Sequence, residues 1–500
     1  MFRPFVLDDT GRPFVELVAP DSAAAIIAGQ AYVTNGTADA VYLTTDAVAA
    51  ADGFVGGFRY TTAGALRAYD ATAGLPAGTS TNQGIAMTSD GQVCYSTAAS
   101  GTYFNIAGVA VDSSGRILID LLTFELLFAD LGAGVVSTVE AINGTTPTFT
   151  RATVAWTKLS TGLWAEVASG SPRSFYGANG NTVAGSYLGY FAEGAGTQLV
   201  TPDASIRDMT DASWVKGATL TVAKTGIGID GVTNSCSRLT GGLVTITNTI
   251  FQTLTAAAST RTYSCWIKRI TGTGLIYITQ DGISAVFTEV SGLLNTSTFT
   301  RVSITASQLN AVFGIRVDGN GDEILVDFNQ FEAGAFATSP LATAGAARNA
   351  DVLTYPTTGW LDAGGGTLFV EATSPNISGY SGGVLGINDG TTNERILIYR
   401  ETTDVWQAFA ADGGSTVVNA SFGSWAAATS SKAALAYALN DFAFVRDGGT
   451  VGTDNTASVP TVTQLEVGTS LGDNQPYGPI RRMAYYAVRL PDATLQELTA

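Results

Sequence analysis

Apolar and polar residues alternate with a period of two along most of this chain, in short runs separated by Gly, Asn, Asp and Ser. That period belongs to strands with one face packed and the other wet. The stretch "AYALNDFAFVRDGGTVGTD", residues 436–454, shows it plainly: alternation, a glycine pair, then alternation again. It predicts a sandwich hairpin in which Asp447, Gly448 and Gly449 supply the turn. Long amphipathic helical patterns are nearly absent. Pro491 and Asp492 open a short C-terminal helix in "LPDATLQELTA", since proline suits a first helical turn. "TFELLFADL" reads as one or two helical turns at a junction. The fold class is all-β.

The first 120 residues repeat. "GFRYTTAGALR" starts at Gly57, "GIAMTSDGQVC" at Gly84 and "GVAVDSSGRIL" at Gly108. "PFVLDDTGRPF" from Pro4 follows the same plan with Pro in place of the first Gly, and "GQAYVTNGTAD" from Gly29 follows it loosely. Each unit reads as a small β-hairpin, and the spacing of about 25 residues lies in the range of repeat architectures. One hairpin cannot bury a core alone. The units must stack along the chain, against sister copies, or both, which points to a homotrimer over a monomeric β-solenoid. The chain then divides into a hairpin-repeat region at 1–120 for attachment and trimerisation, a linker at 121–146, a jelly-roll sandwich at 147–345 and a second sandwich at 346–500.

The formal charge of −17 argues against a nucleic-acid groove, which needs clustered cations, and against anionic lipid. Cys94, Cys236 and Cys265 cannot all pair, and the chain has no His to complete a zinc site, so buried free thiols are expected. "MFRPFVLDDTGRPFVE" has no cationic segment followed by an apolar one, and no run suggests membrane insertion. Synthesis in a cytoplasm follows as the expectation.

"TFTRATVAW", "YLGYFAEGAGTQLV" and "DASWVKGATLTV" resemble a segment of phage and prophage virion proteins. "TYSCWIK", "TRVSITA" and "VDFNQFEAGAFATSPLATAGAARNADVLT" resemble the carbohydrate-binding-module-like jelly roll that follows it there. "YALNDFAFVRDGG" through "IRRMAYYAVRLPDATLQELTA" resembles that family's concanavalin-A-like, or laminin-G-like, terminal sandwich. The resemblance covers residues 147–500. It implies a tailed-phage head or tail fibre or spike, a trimer located in the virion, built in the bacterial host, that meets host surface polysaccharide and other virion proteins. Where the family carries Arg before Asn-Leu-Leu, this chain has "GAGTQLV", with Gly196 and Gln198. That departure implies that a partner of the missing Arg is absent too.

Catalytic signals are weak. "GTSLG", Gly468–Gly472, matches a nucleophile elbow around Ser470 but has no His base. "GIGIDG", Gly226–Gly231, lacks the strand-to-helix setting a dinucleotide site requires. Glu371, Glu394, Glu401 and Glu466 are candidate paired carboxylates, yet the Glu-x-Asp-x-x-Glu strand of concanavalin-A-like glycosidases is missing. No cofactor is called for. "DGNGDE" sets Asp318, Asn320 and Asp322 at the first, third and fifth positions of a calcium loop, with Glu323 where Gly belongs; an Asn-Gly hairpin turn explains it equally. A structural calcium is allowed in either sandwich.

Glycan recognition would use exposed rings beside Asn, Asp and Gln, because sugar C–H faces stack on aromatics and hydroxyls need directional partners. Trp266 shares the polar face of its strand with Ser264 and Lys268. Trp406 and Trp425 form the comparable pair in the last sandwich, and the loop "DNQPYGP" offers Asn474 and Tyr477. For each Trp the competing expectation is core packing or a subunit interface. Three functions follow: a non-enzymatic virion fibre or spike displaying lectin-like sandwiches, a purely structural capsid or tail decoration or adaptor protein, and a polysaccharide depolymerase.

Overall fold

The computed structural model describes residues 146–500, apart from 179, 243–247, 282–286, 344, 376 and 378, together with eleven short strands before residue 146. The chain forms two compact units, Met1–Thr123 and Phe124–Ala500. In the first, ten strands pair into five antiparallel hairpins. Val6–Leu7 pairs with Pro13–Phe14, Ala31–Thr34 with Asp39–Tyr42, Gly56–Tyr60 with Leu66–Asp70, Gly84–Met87 with Val93–Ser96, and Ala110–Val111 with Ile117–Leu118. Every one falls on a repeat read from the sequence.

In the second unit, two five-stranded sheets make one sandwich. One runs in the order Val215–Lys216, Thr249–Thr253, Val312–Asp318, Leu275–Thr279, Phe287–Glu289; the other Thr221–Gly226, Cys236–Thr240, Glu323–Ala333, Ser259–Thr271, Thr300–Gln308. Their apolar faces meet through Tyr263, Phe313 and Phe331, with ring centroids 5.3 Å and 4.4 Å apart along that series. Cys236 and Cys265 are free thiols in this core, and burial pushes both up to about 12.

The second sandwich pairs a sheet of seven strands with one of eight. The seven run Thr148–Thr150, Val352–Pro356, Gln464–Val467, Gly382–Asn388, Arg395–Arg400, Val405–Asp412, Ser415–Ser424. The larger sheet runs Arg173–Tyr176, Tyr187–Ala192, Gly478–Tyr486, Gly365–Thr373, Ser430–Ala438, Phe442–Arg446, Gly452–Asp454. Its eighth strand is Phe124–Leu127, antiparallel to Gly478–Tyr486. "FELL" is therefore strand rather than the helical turn expected from its sequence. A free ladder on the neighbouring strand supplies its backbone partners and overrides local propensity. Phe442–Arg446 and Gly452–Asp454 are antiparallel, with Asp447 and Gly448 both at positive φ in the turn between them, as the alternation predicts. Helix α1 is Asp203–Arg207, and helix α2, Asp492–Thr499, starts directly after Pro491 and packs Leu495 against the sheet core of Phe369, Ala434 and Ala484.

Strands on both sides of residue 345 share these sheets: 148–150 pairs with 352–356, and 187–192 pairs with 478–486. The two sandwiches are thus interlocked through residues 148–192. At the crossing sits a buried ion network. Asp351 takes Arg151 at 2.6 Å on one oxygen and Arg173 on the other. Glu193 takes Arg173 at 3.1 Å and Arg348 at 3.0 Å. Ser339 donates to Glu193 from both its backbone N–H and its hydroxyl, each at 2.6 Å. Burial opposes charge on Glu193, but Arg348, Arg173 and the Ser339 donors outweigh it and hold its pKa below the usual value. Gln198, at the departure from the family pattern, is fully buried. Its amide donates to the carbonyls of Asn329 and Leu341 and accepts from the N–H groups of Val200 and Phe331.

Removing one partner of such a network leaves an uncompensated buried charge. Asp351→Ala should therefore destabilise the protein by about 3–5 kcal/mol, read as a fall in the urea midpoint at unchanged m-value.

Candidate functional site

The three tryptophans expected to meet sugar are core residues. Trp266 is fully buried although it lies on the polar side of its strand. The hairpin of Ala155–Lys158 and Trp164–Val167 covers that side: Trp164 meets Trp266 at 5.2 Å and Phe175 at 5.8 Å, and Phe175 stacks on Phe191 at 4.5 Å. A third layer has turned a solvent face into a second core. Trp406 is fully buried and Trp425 is 3% exposed, their rings 4.0 Å apart between the sheets of the last sandwich. None of the three has a face to offer a ligand.

The calcium reading is corrected as well. Asp318 pairs with Arg316 at 2.5 Å, and Asp322 pairs with Arg269 at 3.2 Å while accepting the Gly274 N–H at 2.6 Å. Asn320 points to solvent. The carboxylates serve arginines and a backbone donor instead of converging on a cation site, and no group of three or more metal-ligating acids or thiols occurs among the described residues. Nor is the stretch a hairpin. Val312–Asp318 and Glu323–Ala333 lie in different sheets, so residues 319–322 carry the chain across the sandwich.

Tyr477, at φ +53°, leans its half-buried ring on Phe336 at 4.8 Å and Tyr380 at 5.0 Å. It is thereby committed to the contact between the sandwiches, and burial pushes its hydroxyl up to about 12. Asn474 is exposed, and its carbonyl accepts the Gly383 N–H at 2.8 Å.

That contact places Asn474 at the border of a surface the sequence reading passed over: the outer face of the seven-stranded sheet. Ile396, Ile398, Trp406, Ala408 and Ala410 fill the inner face and are fully buried. Their alternates therefore point outward. Directly opposed residues form rows across the strands. One row is Gly383, Tyr399, Gln407, Ser421; the next is Glu466, Gly386, Leu397, Phe409, Asn419. Tyr399, Gln407 and Phe409 are half-exposed and Asn419 and Ser421 exposed. The sequence signal was present in "DVWQAF": the aromatic that caught attention, Trp406, faces inward, and its neighbour Gln407 faces out.

Tyr399 and Phe409 stand edge to face, 6.2 Å apart, and the Arg395 guanidinium lies 4.8 Å over the Phe409 ring. Gln407 donates to Glu401 at 2.9 Å, which orients the amide. Burial, then the Glu401 charge, raises the Tyr399 hydroxyl above its ordinary value. Glu466 lies under the loop that follows its strand, 2% exposed, and accepts the Leu471 N–H at 2.6 Å. Burial raises its carboxyl above the usual range. Gly386 is required here, because a Cβ would stand 2.9 Å from that of Leu397. The result is two ring systems, amides and a hydroxyl on one rigid sheet.

No protein-family model and no curated protein matches the sequence. Among solved structures the chain is similar to the CBM40 of a Ruminococcus gnavus IT-sialidase bound to alpha2,6 sialyllactose, at 15% identity over 28% of this chain and 85% of that one, TM-score 0.25. It is similar to the NanB sialidase of Streptococcus pneumoniae at 11% identity over 28% of this chain and 24% of that one, TM-score 0.24. It is similar to a heptameric SAP-like pentraxin of Limulus polyphemus at 10% identity over 28% of this chain and 70% of that one, TM-score 0.21. At these TM-scores the sandwich assignments rest on the sheet orders of this chain alone.

Because the folded state raises the Glu466 pKa, it favours the protonated acid. The wild type therefore loses stability as pH rises from the ordinary carboxylate value through the raised one. Glu466→Gln keeps the acceptor for Leu471 and removes that loss, so the melting temperature of the variant should gain on the wild type between pH 4 and pH 7.

Proposed function

We propose that this protein is a non-enzymatic structural component of a tailed-phage virion, a fibre or spike, that turns the outer face of its seven-stranded sheet toward host surface glycan. The observation that carries this reading is the open face itself, with Tyr399 and Phe409 as ring surfaces and Gln407, Asn419 and Ser421 as hydrogen-bonding partners. Such a mixture of aromatic area and few directed polar groups suits a sugar, whose C–H faces stack and whose hydroxyls need partners.

Burial of Glu466 supports the non-enzymatic reading, because a carboxyl covered by its own loop does not reach a glycosidic oxygen. The Glu401 carboxylate is occupied by Gln407 and by Thr403 at 3.1 Å. The five leading hairpins support assembly with sister copies and attachment to other virion proteins, since two-stranded units of this size gain a core only by packing on neighbours. In a trimer, weak sites repeated along many fibres hold a host surface by avidity.

Light scattering should give three times 51.5 kDa in solution, and a monomer would count against the assembly. On a glycan array the wild type should bind, while Tyr399→Ala and Phe409→Ala should each weaken binding about five- to thirtyfold, the effect of one or two kcal/mol. Binding by neither wild type nor variants would overturn the glycan role.

A further inference from the structure

The row of outward residues leads to a cleft. Ser421 is the last member of the row Gly383, Tyr399, Gln407, and it also lines a half-open cleft of about 380 Å³ where the two sheets of the last sandwich end. The cleft lies between the edge strand Ser415–Ser424 and the hairpin of Phe442–Arg446 and Gly452–Asp454. Its floor is two half-buried rings, Phe422 and Phe444, edge to face at 5.6 Å.

Phe422 reaches this position through a bulge. Trp406 opposes Gly423 and Gln407 opposes Ser421, so Phe422 has no partner across the ladder. A bulge re-aims the extra side chain, and here it places that ring beside Phe444 in the cleft. Arg446 crosses the mouth. Its Nη1 donates to the carbonyls of Ser424 at 2.6 Å and Gly423 at 3.0 Å, and its Nε pairs with Asp447 at 3.2 Å. These bonds fix the guanidinium with the Nη2 hydrogens left over. Thr450 adds an exposed hydroxyl on the far side.

We infer that face and cleft are one extended carbohydrate site, in which a glycan crosses the strands along Tyr399, Gln407 and Ser421 and sets its terminal residue in the cleft between Phe422, Phe444 and Arg446. This rests on the glycan reading of the sheet face and adds the form of the ligand. Gly383 is buried beside Thr469 and Ser470, so the accessible row starts at Tyr399. From its strand to that of Ser421 there are two strand spacings, about 10 Å, so that face and cleft together span about three sugar residues. A volume of 380 Å³ lies at the lower end of small-ligand sites and suits the end of a chain. Arg446 Nη2 serves any terminal oxygen acceptor, the hydroxyl of a neutral sugar or the carboxylate of an acidic one.

The test is an array of neutral and uronate-containing glycans of one to six residues, probed with the full-length protein, Phe422→Ala, Arg446→Gln and Tyr399→Ala. Signal should rise with length and level off near three residues. Phe422→Ala and Arg446→Gln should each lower binding of trisaccharides and longer glycans about fivefold, the worth of one hydrogen bond or ring contact, and leave disaccharides unchanged. A larger loss for uronate than for neutral glycans in Arg446→Gln assigns the acceptor as a carboxylate; equal losses assign it as a hydroxyl. Melting curves should show both cleft variants folded at the temperature of the array. Binding that Tyr399→Ala abolishes but that is indifferent to length and to both cleft variants overturns the extended site and leaves the sheet face standing. No binding to any glycan overturns both.

Discussion

Asp351 and Glu193 hold this architecture together. Two carboxylates and three guanidiniums, all buried, sit where the chain passes between the sandwiches. Each group is costly to remove from water, and each is repaid only by the others in correct geometry. Arg151 leaves the first strand of the seven-stranded sheet, Arg173 opens the first strand of the eight-stranded one, and Arg348 and Ser339 come from the segment leaving the five-stranded sandwich. An alternative register would strand a charge without a partner. The network therefore specifies which strands may be neighbours more than it adds stability.

Interlocking has a consequence for the surfaces. The hairpin of residues 155–167 is drawn over the five-stranded sheet at Trp266 and closes that part of the face, while Ser303 and Thr305 farther along the same face stay exposed. Among the described residues, the outer face of the seven-stranded sheet leaves Tyr399, Gln407 and Phe409 half-exposed and Asn419 and Ser421 exposed, and there the alternation keeps its ordinary meaning of apolar inside and polar or aromatic outside. The same rule applied to two strands thus yields opposite outcomes, decided by what lies above each.

The edge beyond Ser421 shows how backbone irregularity does work that sequence identity does not announce. Bulges are common at sheet edges, where they interrupt pairing and redirect side chains. Here the bulge sets Phe422 beside Phe444, and Arg446 is held against the same edge by the carbonyls of Gly423 and Ser424.

Much of this was legible from the residues alone. Period-two alternation marked the strands, the spaced glycines marked all five leading hairpins, and Pro491 marked the start of α2, because those signals act over a few residues. "FELL" was not legible, since its partner lies more than three hundred residues away. Burial of Trp266 and the pairing of Asp318 and Asp322 with arginines were likewise decided only in three dimensions. A sequence states which residues share a face of a strand. Which face remains open to a ligand depends on the layers that the rest of the chain brings over it.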